Sequence, residues 1–250
     1  MLTISKVVNK LKEKTIGLEL VPFKSNRAYF AGKVGLEIGG PSGIFGHQQI
    51  LPVYDLAERV DGVNFSTQTV WENTIAEGKT YRYQPDKLGY QYILEASDLS
   101  GVGNEQYDFL VASHSLEHCA NTFKTLNEWL RVVKQGGAIL IVVPDRRFTF
   151  DYNRPITTFD HLLNDYKNGV AEDDLTHLDE ILALHDIGRD PGAQNSAFFK
   201  ERSLKNYDNR CLHHHVFDFG LLKQLFDHLG IQTVFAAFYE PYHQIILGQK

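Results

Sequence analysis

Cysteine is scarce, with only Cys119 and Cys211 in 250 residues. Two isolated thiols build neither a disulfide framework nor a zinc-ligand pattern. They fit a reducing compartment, and each reads as a small buried apolar side chain. No apolar run is long enough to span a bilayer. Lys6, Lys10, Lys12 and Lys14 interrupt the N-terminal apolar residues, which does not match a secretory leader. Positive charge is not in excess either: the formal net charge is -6. That argues against a general nucleic-acid binder, though not against one small basic pocket. No long Ser/Gly/Pro linker divides the chain, so one domain over residues 1–250 with a full core is expected. The expected protein is cytoplasmic, with no nucleic-acid or membrane partner; homodimerisation is left open.

What is present centres on residues 34–43. Val34-Gly35-Leu36-Glu37-Ile38 is apolar apart from Gly35 and Glu37 and reads as a short buried strand. Gly39, Gly40, Pro41, Ser42 and Gly43 follow, so the strand ends in a turn where bare backbone can approach a ligand. A glycine-rich turn after the first strand of an α/β sheet is the usual place for a nucleotide-like cofactor. An ordinary strand-to-loop transition accounts for these ten residues equally well. A carboxylate inside an apolar strand is costly without a partner, which favours a functional role for Glu37.

Before this strand, Leu2, Ile4, Val7, Val8 and Leu11 are spaced for one helix face, with lysines opposite. After it, a second strand is expected over 56–60 or on through 63–65. An acid at the end of a second strand binds ribose hydroxyls in such sheets, and Asp61 and Asn64 are the candidates. Both also fit turn positions. Residues 67–84 read as a covering helix or loop, and 90–95 as a third strand. Asp98 in the loop beyond could accept from an adenine amino group, or cap a turn. A fourth strand over 107–113 runs into His114-Ser115-Leu116-Glu117-His118. An amphipathic helix over 122–134, stopped by Gly136-Gly137, leads to the continuous apolar strand 138–143. The series predicts an α/β fold: a Rossmann-like, mostly parallel sheet with helices on both faces and a cleft along the strands' C-terminal edge.

Taken together, these motifs resemble the class I S-adenosylmethionine-dependent methyltransferases, in the small-molecule, type 11-like branch. The resemblance covers roughly residues 34–144 and rests on four stretches in order: Leu36 to Gly43, Asp98-Leu99, Tyr107 to His118, and Leu130 to Gly137. It implies S-adenosyl-L-methionine as cofactor. Gly39, Gly40 and Gly43 would pack beside its methionine and ribose part, and Glu37 would receive its amino group. Asp98 and Leu99 would sit on the adenine side, and His114 near the reacting centre. An antiparallel last strand also agrees with this fold, formed by a closing pair over 231–239 and 243–247 after a helix over 219–229.

Methyl transfer to a hydroxyl needs aligned reactants and a proton acceptor. His114, His118, Asp145 and the run His213-His214-His215 are the candidate bases. The first choices are His114, Asp145 and His214, with His118 read as a structural residue. Asp173, Asp174, His177, His185 and Asp186 carry metal-ligand side chains, but their spacing matches no standard motif, and no metal is expected. Residues 146–210 are far longer than an ordinary connection and rich in His, Asp, Arg and Tyr, with apolar spacing for two helices. They are expected to form a substrate-binding insertion within the domain. Its polarity favours a small-molecule or glycan acceptor, methylated on oxygen rather than nitrogen. A non-catalytic cofactor-binding scaffold is the alternative. A nicotinamide-dependent oxidoreductase is disfavoured, because no regular glycine-x-glycine-x-x-glycine turn opens a helix.

Overall fold

The structure, a computed structural model, describes residues 19–72 and 74–250. The amphipathic stretch at residues 2–14 lies outside these. An eight-stranded sheet runs in the order β3-β4-β2-β1-β5-β6-β8-β7. Its strands are β1 (Val34–Ile38), β2 (Arg59–Asn64), β3 (Gly78–Gln84), β4 (Lys87–Ile93), β5 (Tyr107–Ser113), β6 (Val133–Pro144), β7 (Gln232–Tyr239) and β8 (His243–Gln249). Strands β4, β2, β1, β5 and β6 are parallel neighbours. β8 is antiparallel to both β6 and β7, and β3 is antiparallel to β4.

The apolar run of β6 shows why the sheet lies in the middle of the molecule. Ile139, Ile141 and Val143 face one core, together with Leu126, Trp129, Leu222 and Leu225 from the helices Thr122–Val132 and Phe219–His228. Ala138, Leu140 and Val142 face the other core, with Phe23, Phe30, Phe45, Tyr54 and Phe109. A strand whose successive side chains point to opposite faces can be apolar throughout only when both faces are covered. The helix Thr122–Val132 starts where the Asn121 side chain accepts from the Lys124 backbone N–H at 3.0 Å.

The described residues of 67–84 contain no helix. Their second half is β3, which forms a hairpin with β4 through Pro85 and Asp86. Tyr81 and Tyr83 alternate with exposed Arg82, the two-residue period of a strand. The Tyr81 ring fills the space over Gly62, where an added Cβ would meet it at 2.2 Å. The long stretch 146–210 contains the two expected helices, at Phe159–Asn168 and Leu178–Leu184, and two that were not expected, at Ser196–Leu204 and Asn206–Asn209. The first of these shows a weak amphipathic pattern, and the second is a single turn. Ile181, Ala193, Phe199 and Leu212 give this region a small core of its own. Among the described residues no helix is long and apolar enough to cross a membrane.

Candidate active site

The parallel strands all end on one edge, and β1 is where the chain's path across the sheet reverses: β2 and β4 lie to one side, β5 and β6 to the other. A cavity of about 480 Å³ opens there. Each strand end gives it a wall: Ile38 and Gly39 after β1, Asn64 and Phe65 after β2, Leu94 and Glu95 after β4, His114 and Ser115 after β5. Glu172, Asp190, Arg202 and Arg210 from residues 146–210, and His213 just beyond them, complete the lining. Such a volume, with apolar walls and a few convergent polar groups, is that of a small-molecule site.

The glycine turn is built for close approach. Gly39 has φ +75, and its N–H donates to the Val63 carbonyl at 2.8 Å. A Cβ there would lie 2.5 Å from Ser115 Oγ. Only glycine suits both the backbone angle and the gap. Asn64 is buried and lines the cavity; its amide donates to the Gly40 carbonyl at 3.0 Å, and its Oδ1 accepts from Trp71 Nε1 at 3.2 Å. It therefore fixes the turn as well as standing beside the cavity.

Glu37 is placed differently from its expected role, since it does not line the cavity. Its carboxylate accepts from Tyr54 and Tyr81 hydroxyls, each at 2.6 Å, and from the Ser42 N–H at 2.9 Å. Burial raises its carboxyl above the usual range, and these hydrogen bonds oppose that only in part. Glu37 thus anchors the turn from behind. Gly40 and Gly43 also lie off the cavity wall, because Pro41 and Ser42 take those places. Asp61 is held inside the sheet by the Tyr90 N–H at 2.8 Å, Tyr107 Oη at 2.8 Å and Arg59 Nε at 3.0 Å, away from the cavity. Asp98 is exposed and accepts from the Ser100 N–H at 3.1 Å, while Leu99 is core. The reason is one of length: β4 ends at Ile93, so Leu94, Glu95 and Ala96, not residues 98 and 99, reach the cavity.

His114 does line the cavity, with φ +51 at the end of β5. A non-glycine residue in that region is strained, a state that clusters at functional sites. Its Nε2 lies 2.9 Å from His243 Nδ1 and its Nδ1 3.4 Å from Glu117 Oε1. Asp145 and His214 are not on the cavity wall. Asp145 pairs with Arg147 at 2.6 Å and caps the turn that follows. His214 is 1% exposed and its Nε2 meets the Asn206 amide at 3.0 Å. Burial drives its pKa down to about 3, so it is neutral and enclosed.

The histidine of that run which lines the cavity is His213. Its Nδ1 is 2.5 Å from Asp151 Oδ2, which leaves Nε2 as the free ring nitrogen. Arg154, 1% exposed, holds Asp151 Oδ1 at 2.9 Å and also donates to the carbonyls of His213 at 2.8 Å and His214 at 3.2 Å. Burial opposes the charge on His213, but Asp151 and Glu117 outweigh it and hold the imidazole above its usual range. Burial likewise opposes ionisation of Asp151, and His213 and Arg154 outweigh it, lowering that carboxyl to about 2. Glu117 is fully buried beside His114, His118 and His213, and neither of its oxygens has a hydrogen-bond partner. His118 lines the cavity too; burial and the neighbouring His213 lower it to about 4, and its Nδ1 meets the Leu212 carbonyl at 2.9 Å.

Several of these groups had no individual role assigned from the sequence: Glu95, Arg202 and Arg210, and also Glu172, Asp151 and Arg154, which counted only toward the polar character of residues 146–210. Glu95 pairs with Arg210 at 2.5 Å, joining the end of β4 to the inserted region across the cavity. The signal that could have found Asp151 and Arg154 is their three-residue spacing, which suits a charge pair in a turn.

The residues present fit the expected cofactor. Gly39 leaves bare backbone where a Cβ would be blocked. Ile38, Val63, Phe65 and Leu94 give apolar walls, and Glu95 places a carboxylate at a strand end. Residues 37–141 match the family model described as a methyltransferase domain. No curated protein matches the chain. Among solved structures, a SAM-dependent methyltransferase from Methanosarcina mazei is 19% identical with a TM-score of 0.53, covering 93% of this chain and 99% of its own. The PH0226 protein from Pyrococcus horikoshii OT3 is 12% identical with a TM-score of 0.53, covering 96% of this chain and 90% of its own. At such identities these likenesses speak for the fold, and the domain match speaks for the activity. Residues 37–141 are thus similar to a methyltransferase domain, set in a sheet that has the fold of S-adenosylmethionine-dependent methyltransferases.

Proposed function

We propose that this methyltransferase acts on a hydroxyl oxygen of a polar small molecule or glycan, with His213 as the proton acceptor. The observation that carries this reading is the Asp151–His213 pair at 2.5 Å on the cavity wall. A hydroxyl is a weak nucleophile until its proton is taken, and an imidazole oriented by a carboxylate is suited to take it. When bound, S-adenosyl-L-methionine supplies a methyl group on a positively charged sulfur. The Gly39 backbone, Asn64, Glu95 and the apolar walls would hold it. Asp151 orients the imidazole and stabilises its protonated form. Arg154 fixes both Asp151 and the backbone of His213 and His214. Glu172, Asp190, Arg202 and Arg210 line the side toward the inserted region and offer donors and acceptors for a hydroxyl-rich acceptor.

The test is formation of S-adenosylhomocysteine from the methyl donor, with acceptors grouped as sugars and sugar nucleotides, other hydroxylated metabolites, and amines. Turnover is expected with a hydroxylated acceptor. Turnover confined to amines would contradict the proposal. No turnover in any group, with cofactor binding intact, would favour a scaffold.

A further inference from the structure

A second cluster of donor side chains lies off the cavity, and the proposed chemistry does not use it. His161 and Asp165 stand four residues apart on the helix Phe159–Asn168, so their side chains share a face. His177 precedes the helix Leu178–Leu184, and His215 belongs to the extended stretch before the helix Phe219–His228. These positions, up to 54 residues apart by number (215 minus 161), converge on one point. One donor atom from each of the four lies within 4.8 Å of every other. His161 Nε2 is 3.1 Å from His177 Nε2 and 3.1 Å from Asp165 Oδ2, and His215 Nε2 is 3.7 Å from Asp165 Oδ2.

Those separations have a physical meaning. Four N and O ligands at the usual zinc distances stand about 3.3 Å apart along the edges of a tetrahedron. The three measured contacts bracket that value. By themselves the four groups satisfy one another poorly. Asp165 Oδ2 is buried without a hydrogen-bond partner despite its neighbours, and so is His215 Nδ1. His161 and His177 present ring nitrogens to each other, so one must carry the proton while the other accepts. His215 Nε2 has one other contact, the Ala120 carbonyl at 3.1 Å. A cation at the centre would give Asp165 Oδ2 the partner it lacks and replace the shared proton between His161 and His177; at His215 it would take the Nε2 lone pair in place of the proton now donated to Ala120. His161 is half-exposed, which leaves a path for the ion to enter.

We propose that His161, Asp165, His177 and His215 bind a zinc-like divalent transition-metal ion. Three imidazoles and a carboxylate in a closed tetrahedral set are zinc chemistry of the structural kind, with no position left open for a substrate. The ion would clip two segments of the inserted region to the stretch that carries His213 two residues upstream. Its role is to hold that wall of the cavity in place. The proposal stands independently of which acceptor is methylated.

The test is metal content. After chelation and dialysis, the full chain is titrated with zinc and, separately, with cobalt. The wild type is expected to bind about one zinc per chain and to give the intense visible absorption of tetrahedral cobalt. His161→Ala, which alters the most exposed ligand, is expected to weaken zinc binding at least about tenfold while keeping its circular dichroism spectrum. His47→Ala, on the exposed His47 beside Asp55, should bind like the wild type. A wild type that takes up no stoichiometric zinc, or a His161→Ala variant that binds it as well as the wild type, overturns the site.

Discussion

Replacing His213 with alanine should lower turnover by about 10²- to 10⁴-fold, the range for loss of a general base, while S-adenosylhomocysteine binding stays within about twofold of wild type. The expectation follows from the division of the site. His213 lines the cavity from the stretch that follows residues 146–210, whereas the glycine turn that would hold the cofactor belongs to the strand ends. Added imidazole should restore part of the lost rate, because the space left by the ring can take the free base. Asp151→Asn should lower turnover in the same direction, since the amide can no longer stabilise the protonated ring. Full activity in His213→Ala would remove this residue from the reaction and return attention to His114, the other imidazole at a strand end.

The largest stability effect is expected at Arg154. Its guanidinium is 1% exposed and makes four contacts: Asp151 at 2.9 Å, Glu180 at 3.0 Å, and the carbonyls of His213 at 2.8 Å and His214 at 3.2 Å. Arg154→Leu keeps much of the volume but removes every donor. It leaves Asp151 buried with His213 as its only ion partner and two carbonyls unsatisfied. Breaking a buried pair from one side costs about 3–5 kcal/mol, because the remaining charge is stranded. Chemical denaturation should show a loss in that range, and turnover should fall as well, since the His213 backbone loses its anchor. A loss under about 1 kcal/mol would mean that water or a neighbour replaces the guanidinium.

How far the sequence carried depends on the kind of signal. The strands β1, β5 and β6 were legible because continuous apolar runs ending in glycine, histidine or Pro-Asp have few other readings in an α/β chain. The hairpin β3–β4 was not. Tyr81 and Tyr83 sit among charged and polar residues, and only contact with Tyr54 and Gly62 shows why they are buried. The site was legible in outline. His114 and Gly39 follow directly from the ends of strands that could be placed, whereas the end of the second strand left both Asp61 and Asn64 open. Asp98 and Leu99 missed the cavity because the end of β4 could not be fixed to within a few residues. Glu37 was correctly singled out as costly to bury, but its partners are two tyrosines, Tyr54 and Tyr81, distant in sequence. Alternation along His213-His214-His215 put at least one ring toward the cleft; which one was decided by Arg154 and Asn206, whose positions no local pattern reveals.

The central claim is that the strand ends around Gly39 form a site for S-adenosylmethionine. Calorimetric titration with S-adenosylhomocysteine tests it most directly, on the wild type and on Gly39→Ala. The variant forces a side chain onto a backbone at φ +75 and a Cβ to within 2.5 Å of Ser115 Oγ. The predicted result is one site per chain in the wild type and binding at least about tenfold weaker in Gly39→Ala, a difference of about 1.4 kcal/mol or more. No heat of binding from the wild type, or equal affinity in the two proteins, would contradict it.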